Sequence, residues 1–344
     1  MKIAVDAQLA LGTATGIGEY VTGLVAGLRE AGVDVAELRE PRLDPWRFDR
    51  RIVWDQLLLP LAARQSGADL LHCTSGTMPL LGAMPAVVTV HDVAWLRAQR
   101  HTRRYARYYF GTFSLARYRR ARRIVVDSAF SRGELLEFLG TECDRASVVY
   151  PGVARDYCAL VRRPDEPAFI LAVGTVEARK NLAVVVRALA DLAPDVRLVV
   201  AGPPTPYQAH CKHIASALGV SERIDWRGYV SRKELLALYA RAAVAVVPST
   251  YEGFGYAAAQ AMCAGVPLLV SNASSLPEIV GEHAVCLPPT DTYAWAQQLN
   301  TILNGRVAAN EDAHAAREGA IRRFAWAASI VQLRAVYADA LEDR

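Results

Sequence analysis

Short apolar runs alternate with helical patterns along almost the whole chain, and this alternation limits the folds that are open to it. When a helix joins two strands, it carries the chain back to the end of the sheet where the first strand began. The second strand then runs in the same direction, so the sheet is parallel and the crossover is right-handed. The order therefore predicts an α/β chain with doubly wound sheets. The predicted strands span residues 2–6, 34–38, 70–72, 86–91, 124–127, 147–150, 169–173, 197–201, 224–226, 244–247 and 267–270.

The strand series is interrupted once, at residues 151–167. This stretch contains prolines, a glycine and charged residues without sustained periodicity, which is typical of a linker. With 344 residues, 52% of them hydrophobic, the chain can fill two cores. We predict two Rossmann-like domains, over residues 1–160 and 165–324.

A glycine-interrupted turn leads into an alanine-rich run at residues 251–262, which predicts the start of a helix. The first N–H groups of a helix lack intrahelical acceptors, so the turn through Gly253, Phe254 and Gly255 favours an anion. Glu252 precedes this turn, and its carboxylate can accept hydrogen bonds from a sugar. A sugar beside a diphosphate indicates a nucleotide sugar. The alternative is an Ala/Gly-rich helix buried under a sheet.

A second pattern supports the nucleotide-sugar interpretation. The apolar run 169–173 is followed by Gly174 and then by Arg179 and Lys180, ahead of another helical pattern. Ligands of parallel sheets bind beyond the carboxyl ends of the strands, where adjacent cations can neutralise a diphosphate. Taken alone, an Arg-Lys pair in a loop is usually a solvated surface pair.

Together these motifs make the chain resemble the retaining glycosyltransferases of family 4, which have the two-domain GT-B fold. The similarity covers nearly the whole chain. The motifs that carry it lie at residues 16–20, 90–92, 149–153, 174–181, 251–260 and 274–278.

The resemblance implies two Rossmann-like domains whose parallel sheets face a central cleft. It also implies a first domain that binds the acceptor, with a last helix at about residues 325–344 packing back on it, and a second that binds the nucleotide sugar. The expected catalytic residues are His91, Arg179, Lys180 and Glu252. The expected donor-binding residues are Gly16, Gly18, Gly174, Tyr229, Val230, Gly253, Phe254, Gly255, Tyr256 and Gln260.

The chain departs from the family pattern at two positions. The family has a second glutamate eight residues after the first, which holds the ribose hydroxyls, and this chain has Gln260 there. A glutamine keeps an acceptor oxygen but loses the charge, so donor binding is expected to be weaker or altered. Many relatives carry an arginine directly after the strand glycine, where this chain has Thr175, which leaves Arg179 as the substitute cation.

Two further candidates lie in the first half. Gly16 and Gly18 form a loop before a helix expected near Glu19, and its amides would face the donor phosphate or the acceptor. His91 ends an apolar strand, and the resemblance implies that it contacts the transferred sugar. For both motifs a purely structural role, as a turn or a hydrogen-bonding histidine, is the alternative.

A basic segment spans residues 97–123 and contains no acidic residue. Its spacing predicts a helix with a basic face and aromatic margins, which suits an anionic membrane surface or a lipid-diphosphate acceptor. A merely solvated helix face is the alternative, and nucleic acid is disfavoured because the chain carries no recognised nucleic-acid module. The basic residues are Arg97, Arg100, Arg103, Arg104, Arg107, Arg117, Arg119, Arg120, Arg122 and Arg123, and the aromatic ones Tyr105, Tyr108, Tyr109, Phe110, Phe113 and Tyr118.

The absence of targeting and membrane-spanning patterns predicts a cytoplasmic enzyme, which can also contact the inner face of the membrane through the basic segment. The sequence shows neither a signal-peptide pattern nor a long apolar stretch. The cysteines form no C-x-x-C pair, which argues against a zinc site and a disulfide framework. We expect reduced thiols at Cys73, Cys143, Cys158, Cys211, Cys263 and Cys286.

The patterns predict that a nucleotide sugar is bound, and the resemblance implies a metal-independent, retaining hexosyltransferase, with GDP-mannose as the donor that subfamily resemblance favours. The subfamily is that of bacterial O-antigen and exopolysaccharide mannosyltransferases, and the acceptor would be a glycan or a lipid-diphosphate-linked saccharide. The alternatives are a GT-B nucleotide-sugar epimerase and a non-catalytic binding protein, which Gln260 alone favours.

Overall fold

A computed structural model describes residues 1–11, 16–82, 84–97, 107–140, 144–164 and 167–342. The chain forms two compact units, one of Met1–Gly152 with Ala325–Arg344 and the other of Val153–Phe324. The predicted boundary at residues 160–165 lies further along the chain than this division. The residues just after Gly152 belong to the second unit because Asp156 forms an ion pair with Arg232, at 2.6 Å.

The first unit contains a sheet of six parallel strands in the order β2-β1-β3-β4-β5-β6. Every residue of Ala86–Val90 is buried, as expected for a strand covered by helices on both faces. The strands are β1 (Lys2–Asp6), β2 (Asp34–Leu38), β3 (Leu70–Cys73), β4 (Ala86–Val90), β5 (Arg123–Val126) and β6 (Ala146–Val148).

The second unit contains another sheet of six parallel strands, in the order β12-β11-β10-β7-β8-β9. The predicted parallel architecture is therefore confirmed for both units. The edge strand β12 was not predicted, since it has three residues and Val285 is 43% exposed, which leaves too short an apolar pattern. The strands are β7 (Phe169–Val173), β8 (Arg197–Ala201), β9 (Ile224–Gly228), β10 (Val244–Val247), β11 (Leu268–Ser271) and β12 (Val285–Leu287).

Helices connect the strands of each unit. In the first unit the α-helices are Gly16–Glu30, Phe48–Val53, Leu59–Gln65, Ala94–Arg97, Phe113–Arg120, Ala129–Leu139 and Trp326–Glu342, with π-helical turns at Trp54–Leu58 and Arg107–Thr112. In the second they are Arg155–Cys158, Leu182–Ala188, Tyr207–Ala217, Arg232–Arg241, Tyr256–Cys263, Leu276–Val280, Thr292–Asn304 and Arg306–Arg323. Short 3₁₀ turns lie at Gln8–Ala10, Ala178–Lys180, Leu189–Asp191, Ser221–Arg223 and Gly281–His283.

The last helix packs on the first unit through Trp326. A Cβ atom on Gly23 or on Gly152 would overlap the indole of this tryptophan, so both positions require the absence of a side chain. Further along the helix, the hydroxyl of Tyr337 lies 2.7 Å from Nδ1 of the fully buried His72. The helix is therefore held by shape at its start and by a buried hydrogen bond near its end.

The described part of the basic segment differs from the predicted surface helix. Arg117 is 1% exposed, and its guanidinium lies 3.9 Å from the ring centroid of Tyr109, which is also buried. Tyr118 is buried and donates to the carbonyl oxygen of Gly76 at 2.8 Å. Part of this segment is thus core, because an arginine stem and aromatic rings bury large areas. Residues 98–106 lie outside the described ones.

No helix among the described residues is both long and apolar enough to cross a membrane. Their cysteines, Cys73, Cys158, Cys211, Cys263 and Cys286, are free thiols. Cys143 lies outside the described residues.

Candidate active site

Glu252 lies between two cations at the carboxyl ends of strands β7 and β10. Its Oε1 accepts from Lys180 Nζ at 2.5 Å and from Ser249 Oγ at 2.7 Å, and its Oε2 accepts from Arg179 Nη1 at 3.2 Å. The cations and the glutamate are more than seventy residues apart in the chain. The structure therefore brings together three of the four predicted catalytic residues.

The surroundings of Glu252 keep its carboxylate charged. The residue is 6% exposed, and burial by itself raises the pKa of the carboxyl group. The positive charges of Lys180 and Arg179, together with the hydrogen bonds from Lys180 and Ser249, outweigh burial and lower that pKa below its usual value. An ammonium has three N–H donors, so Lys180 can serve Glu252 and a phosphate oxygen together.

Backbone contacts hold the two segments side by side. Asn181 adopts a left-handed conformation, with φ of 51°, and its side-chain amide donates to the carbonyl oxygens of Pro248 and Pro289 at 3.1 and 2.7 Å. The N–H of Thr250 donates to the carbonyl oxygen of Arg179 at 2.7 Å. The cations are therefore fixed relative to Glu252 by the backbone as well as by charge.

Serines that the sequence analysis did not assign position the turn before the Tyr256–Cys263 helix. Ser274 Oγ accepts from the N–H of Glu252 at 2.8 Å, and Ser275 Oγ donates to the carbonyl oxygens of Glu252 and Phe254 at 3.0 Å each. Both serines lie in the 274–278 motif that contributed to the family resemblance. That motif is the feature of the sequence from which their role could have been predicted.

Gly255 is the N-cap of this helix, with φ of 94°. A Cβ atom there would come within 2.7 Å of Leu276 Cδ2, so the turn requires glycine. Glycine has no side chain to cap the first turn, and the positive end of a helix attracts an anion. Gly253 and Phe254, in the turn that precedes Gly255, are buried.

The remaining predicted donor-binding residues differ in placement. Gly174 lies beside Lys180, since a Cβ atom on Gly174 would be 3.6 Å from Lys180 Cε. Gln260 is 5% exposed, and its Oε1 accepts from the hydroxyl of Tyr239 at 3.3 Å, so at least part of its hydrogen bonding is internal. Tyr229 and Val230 follow strand β9, and Tyr229 is 51% exposed. No described contact joins these two to the Glu252 cluster.

His91, in the first unit, is held at both ring nitrogens. Nδ1 lies 2.6 Å from Asp127 Oδ2, and Nε2 lies 2.8 Å from the carbonyl oxygen of Thr74. Burial lowers the pKa of His91, but the charge and the hydrogen bond of Asp127 outweigh burial and raise it above the ordinary value. A carboxylate and a carbonyl are both acceptors, so the ring donates from both nitrogens and is best described as an imidazolium. Asp127 was not assigned from the sequence, although it is the last residue of the predicted strand 124–127 and directly follows the observed strand β5.

This arrangement predicts a pH-dependent stability. Since the pKa of His91 is raised above 6.5, its contribution is fully present below about pH 6.5 and is lost as the pH rises through the folded-state value. We expect His91→Gln to lose more stability at about pH 6 than at about pH 9, measured by denaturant unfolding. His314→Gln, on an exposed helix position, is the control. Equal losses at both pH values would contradict the imidazolium assignment.

A cavity of about 860 Å³ lies in the first unit next to His91. Apolar and aromatic side chains, among them Ile17, Trp46 and Phe110, line it together with Arg51. Ile17 lies in the first turn of the Gly16–Glu30 helix, so Gly16 and Gly18 are helical residues and not the loop that the sequence predicted. Glycine accepts helical angles, and a short glycine pattern does not separate a loop from a first turn.

Within the described ranges, no group of three or more His, Cys, Asp and Glu residues is arranged to hold a metal ion.

Two family models match the chain. The model described as Glycosyltransferase Family 4 matches residues 14–157, and the one described as Glycosyl transferases group 1 matches residues 160–323. Together they cover nearly the whole chain, one in each predicted domain.

Curated relatives match over shorter stretches. D-inositol 3-phosphate glycosyltransferase from Corynebacterium glutamicum is 30% identical over 63% of this chain and 57% of its own. Glycogen synthase from Mycobacterium tuberculosis is 33% identical over 59% and 50%, and O-antigen chain mannosyltransferase B from Escherichia coli is 32% identical over 51% and 49%. The matched region thus spans about half the length of these relatives.

Solved structures match over the full length but at low identity. Sucrose-phosphate synthase from Thermosynechococcus elongatus superposes with a TM-score of 0.79 and 20% identity, covering 98% of both chains. HepE from Anabaena, solved in complex with UDP and glucose, gives a TM-score of 0.75 at 17% identity and covers 98% of this chain and 99% of its own. At these identities the similarity establishes the fold alone.

Proposed function

Because the chain belongs to the family-4 glycosyltransferases of GT-B fold, we propose that it transfers a hexose from a nucleotide sugar to a glycan or lipid-linked acceptor with retention of configuration. The product would contain an α-glycosidic bond. The observation that carries this proposal is the pairing of Glu252 with Arg179 and Lys180 beside the start of the Tyr256–Cys263 helix.

In this proposal the cations act on the leaving group. When the bond between the anomeric carbon and the diphosphate breaks, negative charge grows on the phosphate oxygens. Lys180, Arg179 and the helix start would stabilise that charge from fixed positions, which is the efficient form of electrostatic catalysis. The reaction then needs no metal ion. Gly174 and the turn from Gly253 would line the diphosphate.

Glu252 would orient the cations and hold one sugar hydroxyl. A carboxylate has about four acceptor positions, and the contacts from Lys180, Ser249 and Arg179 use three of them. Gln260, Tyr229, Val230 and Tyr256 remain candidates for the nucleotide, with Gln260 the weakest because Tyr239 donates to it.

His91 would contact the sugar through its ring and shield the reacting carbon, since both of its nitrogens are already bonded within the first unit. An imidazolium that donates from both nitrogens cannot take a proton, so we assign the acceptor's proton to the leaving phosphate. The cavity beside His91 has the volume and mixed lining of a ligand site, and we propose that the acceptor binds there. Gly16 and Gly18, at the start of the adjacent helix, would offer amides to an acceptor or donor phosphate. Membrane contact through residues 97–123 stays a prediction.

A panel of GDP- and UDP-sugars tests the donor. The name of the mannosyltransferase relative favours mannose, for which the resemblance predicts GDP-mannose as the donor, and the UDP in the HepE structure makes UDP-glucose the competing donor. A ligand that binds only the folded protein raises its melting temperature, by an amount equivalent to about 2.7 kcal/mol at a hundredfold excess over Kd. We expect GDP-mannose to give the largest shift. A shift with UDP-glucose alone would reassign the donor, and a flat panel would contradict donor binding.

Transfer itself separates the alternatives. With acceptor present, a transferase releases free nucleoside diphosphate and forms a product whose α-configuration NMR can establish. An epimerase converts the donor without acceptor, and a binding protein, which Gln260 favours, does neither. A β-linked product would overturn the retaining assignment.

A further inference from the structure

One face of the first unit exposes large apolar side chains in a row. Val53, Leu57 and Leu61 follow one another at four-residue intervals along the helical segment 48–65 and are 41%, 59% and 57% exposed. Leu81, in the loop before strand β4, is 80% exposed. We call these four residues the apolar ridge. Apolar groups exposed together in this way mark an interaction surface.

The opposite face of the same helical segment is core. Trp54, Leu59 and Ala63 are 2%, 0% and 1% exposed and belong to the cluster that packs under the sheet. The segment therefore has an apolar buried face and a second apolar face that is exposed. Packing in the core of the unit explains why the buried face is apolar, but it does not explain why the exposed face is apolar too.

The loop that carries Leu81 is fixed to this segment by Gln56. The amide Nε2 of Gln56 donates to the carbonyl oxygen of Met78 at 3.2 Å, and its Oε1 accepts from the N–H of Leu80 at 3.0 Å. The side chain thus bonds the loop on both sides of Pro79. Leu81 is consequently held in its exposed position beside Leu57 by a specific contact.

Arginines surround the ridge. A surface depression of about 910 Å³ is lined by Leu57, Leu61 and Leu81 together with Arg64, Arg120 and Arg122. Among the residues that the structure describes, these arginines form no ion pair within 4 Å. The acidic residue in the lining is Asp69, whose Oδ2 accepts from the backbone N–H of Lys2 at 2.7 Å. The same face therefore carries exposed leucines and three arginines.

We propose that the apolar ridge inserts into the surface of a bilayer that contains anionic lipids, with Arg64, Arg120 and Arg122 on the headgroups. Apolar side chains that enter the headgroup region below a rim of cations are the general form of reversible interfacial binding. A protein partner with an acidic rim would need a defined complementary shape, whereas lipid headgroups and acyl chains can fill a depression lined by leucines and arginines. The surface differs from the Arg/Tyr pattern of the sequence, because among the described residues of segment 97–123 it is lined by Arg120 and Arg122 alone.

Vesicle sedimentation tests the proposal. The full chain is mixed with phosphatidylcholine vesicles with or without phosphatidylglycerol, and we expect strong binding only when the anionic lipid is present. Leu57→Gln with Leu81→Gln should weaken binding about tenfold or more, since each leucine loses its transfer into the interface. Arg120→Gln with Arg122→Gln should weaken it about 25-fold, from roughly 1 kcal/mol per arginine, and salt should reproduce this loss.

Val331→Gln with Arg334→Gln is the matched control, because both residues are exposed on the last helix, away from the ridge. It should bind like the unchanged protein, and all variants should keep its melting temperature. Leu81→Trp should gain fluorescence quenching by nitroxide-labelled lipid, whereas Leu218→Trp, at a 44% exposed position after the Tyr207–Ala217 helix of the second unit, should not. Equal binding by all variants, or dimers that the Leu57→Gln and Leu81→Gln pair dissociates, would overturn the proposal.

Discussion

Lys180→Ala should lower kcat about 100- to 1,000-fold, the usual cost of removing one preorganised donor to a developing charge. The Nζ of Lys180 lies 2.5 Å from Glu252 Oε1 and next to Gly174, so its charge is held where the proposed diphosphate would leave. KM for the donor should change far less than kcat, since the interaction strengthens as the bond breaks. Initial rates of nucleoside diphosphate release at saturating acceptor measure both constants.

Lys233→Ala is the matched control, because Lys233 is an exposed lysine of the same unit. It should retain full activity. Lys233→Ala should melt close to the unchanged protein, and Lys180→Ala should stay folded at the assay temperature, since Arg179 and Ser249 still donate to Glu252 in the absence of Lys180. If Lys180→Ala transferred sugar at the original rate, the assignment of the diphosphate to this cluster would be wrong.

Arg51→Leu should destabilise the first unit by about 3–5 kcal/mol, which corresponds to a fall in Tm of roughly 6–20 °C. Nη2 of Arg51 lies 3.1 Å from Asp6 Oδ2, 2.9 Å from Asp55 Oδ1 and 2.9 Å from Thr77 Oγ1. Both carboxylates are at most 1% exposed, so removing the cation leaves two negative charges buried together. Calorimetry of the full chain measures the loss.

Arg50→Leu is the control, because this neighbouring arginine makes an exposed bond to the carbonyl oxygen of Arg42 and should be nearly neutral. The loss in Arg51→Leu should also depend on pH. Burial raises the pKa of Asp55 even with the opposing charge of Arg51, so removing Arg51 raises that pKa further. An acid whose pKa is raised by folding loses stability as pH rises, so the deficit should be larger near pH 8 than near pH 5. A deficit without this trend would contradict a charge-based origin.

Much of the donor site could be predicted from the sequence, since its parts are local patterns. Gly174, Arg179 and Lys180 follow an apolar strand, and Glu252 precedes a glycine turn and an alanine-rich helix. Parallel strands place their carboxyl ends at one edge, which made the proximity of these segments a reasonable expectation. The serines that bond the turn around Glu252 were missed, because a serine in a loop has no pattern that reveals its partner.

The basic segment shows where such reasoning fails. The sequence shows that Arg117 is basic and that Tyr109 and Tyr118 are aromatic. It does not show whether another element packs on the helix face that carries them. In the folded unit these three side chains are buried, whereas Leu57 and Leu81 are exposed. Hydrophobic character is therefore a weak guide to exposure for single residues.

The sequence by itself determined the order of the strands other than β12, the parallel sheets and the glycine turn before the Tyr256–Cys263 helix, because these follow from periodicity and backbone sterics within a few residues. Only the tertiary structure decided which distant groups meet. It paired Glu252 with two cations, gave His91 two acceptors and turned Gln260 toward Tyr239. Such contacts depend on how whole elements pack, and their energies depend on burial, which no local pattern encodes.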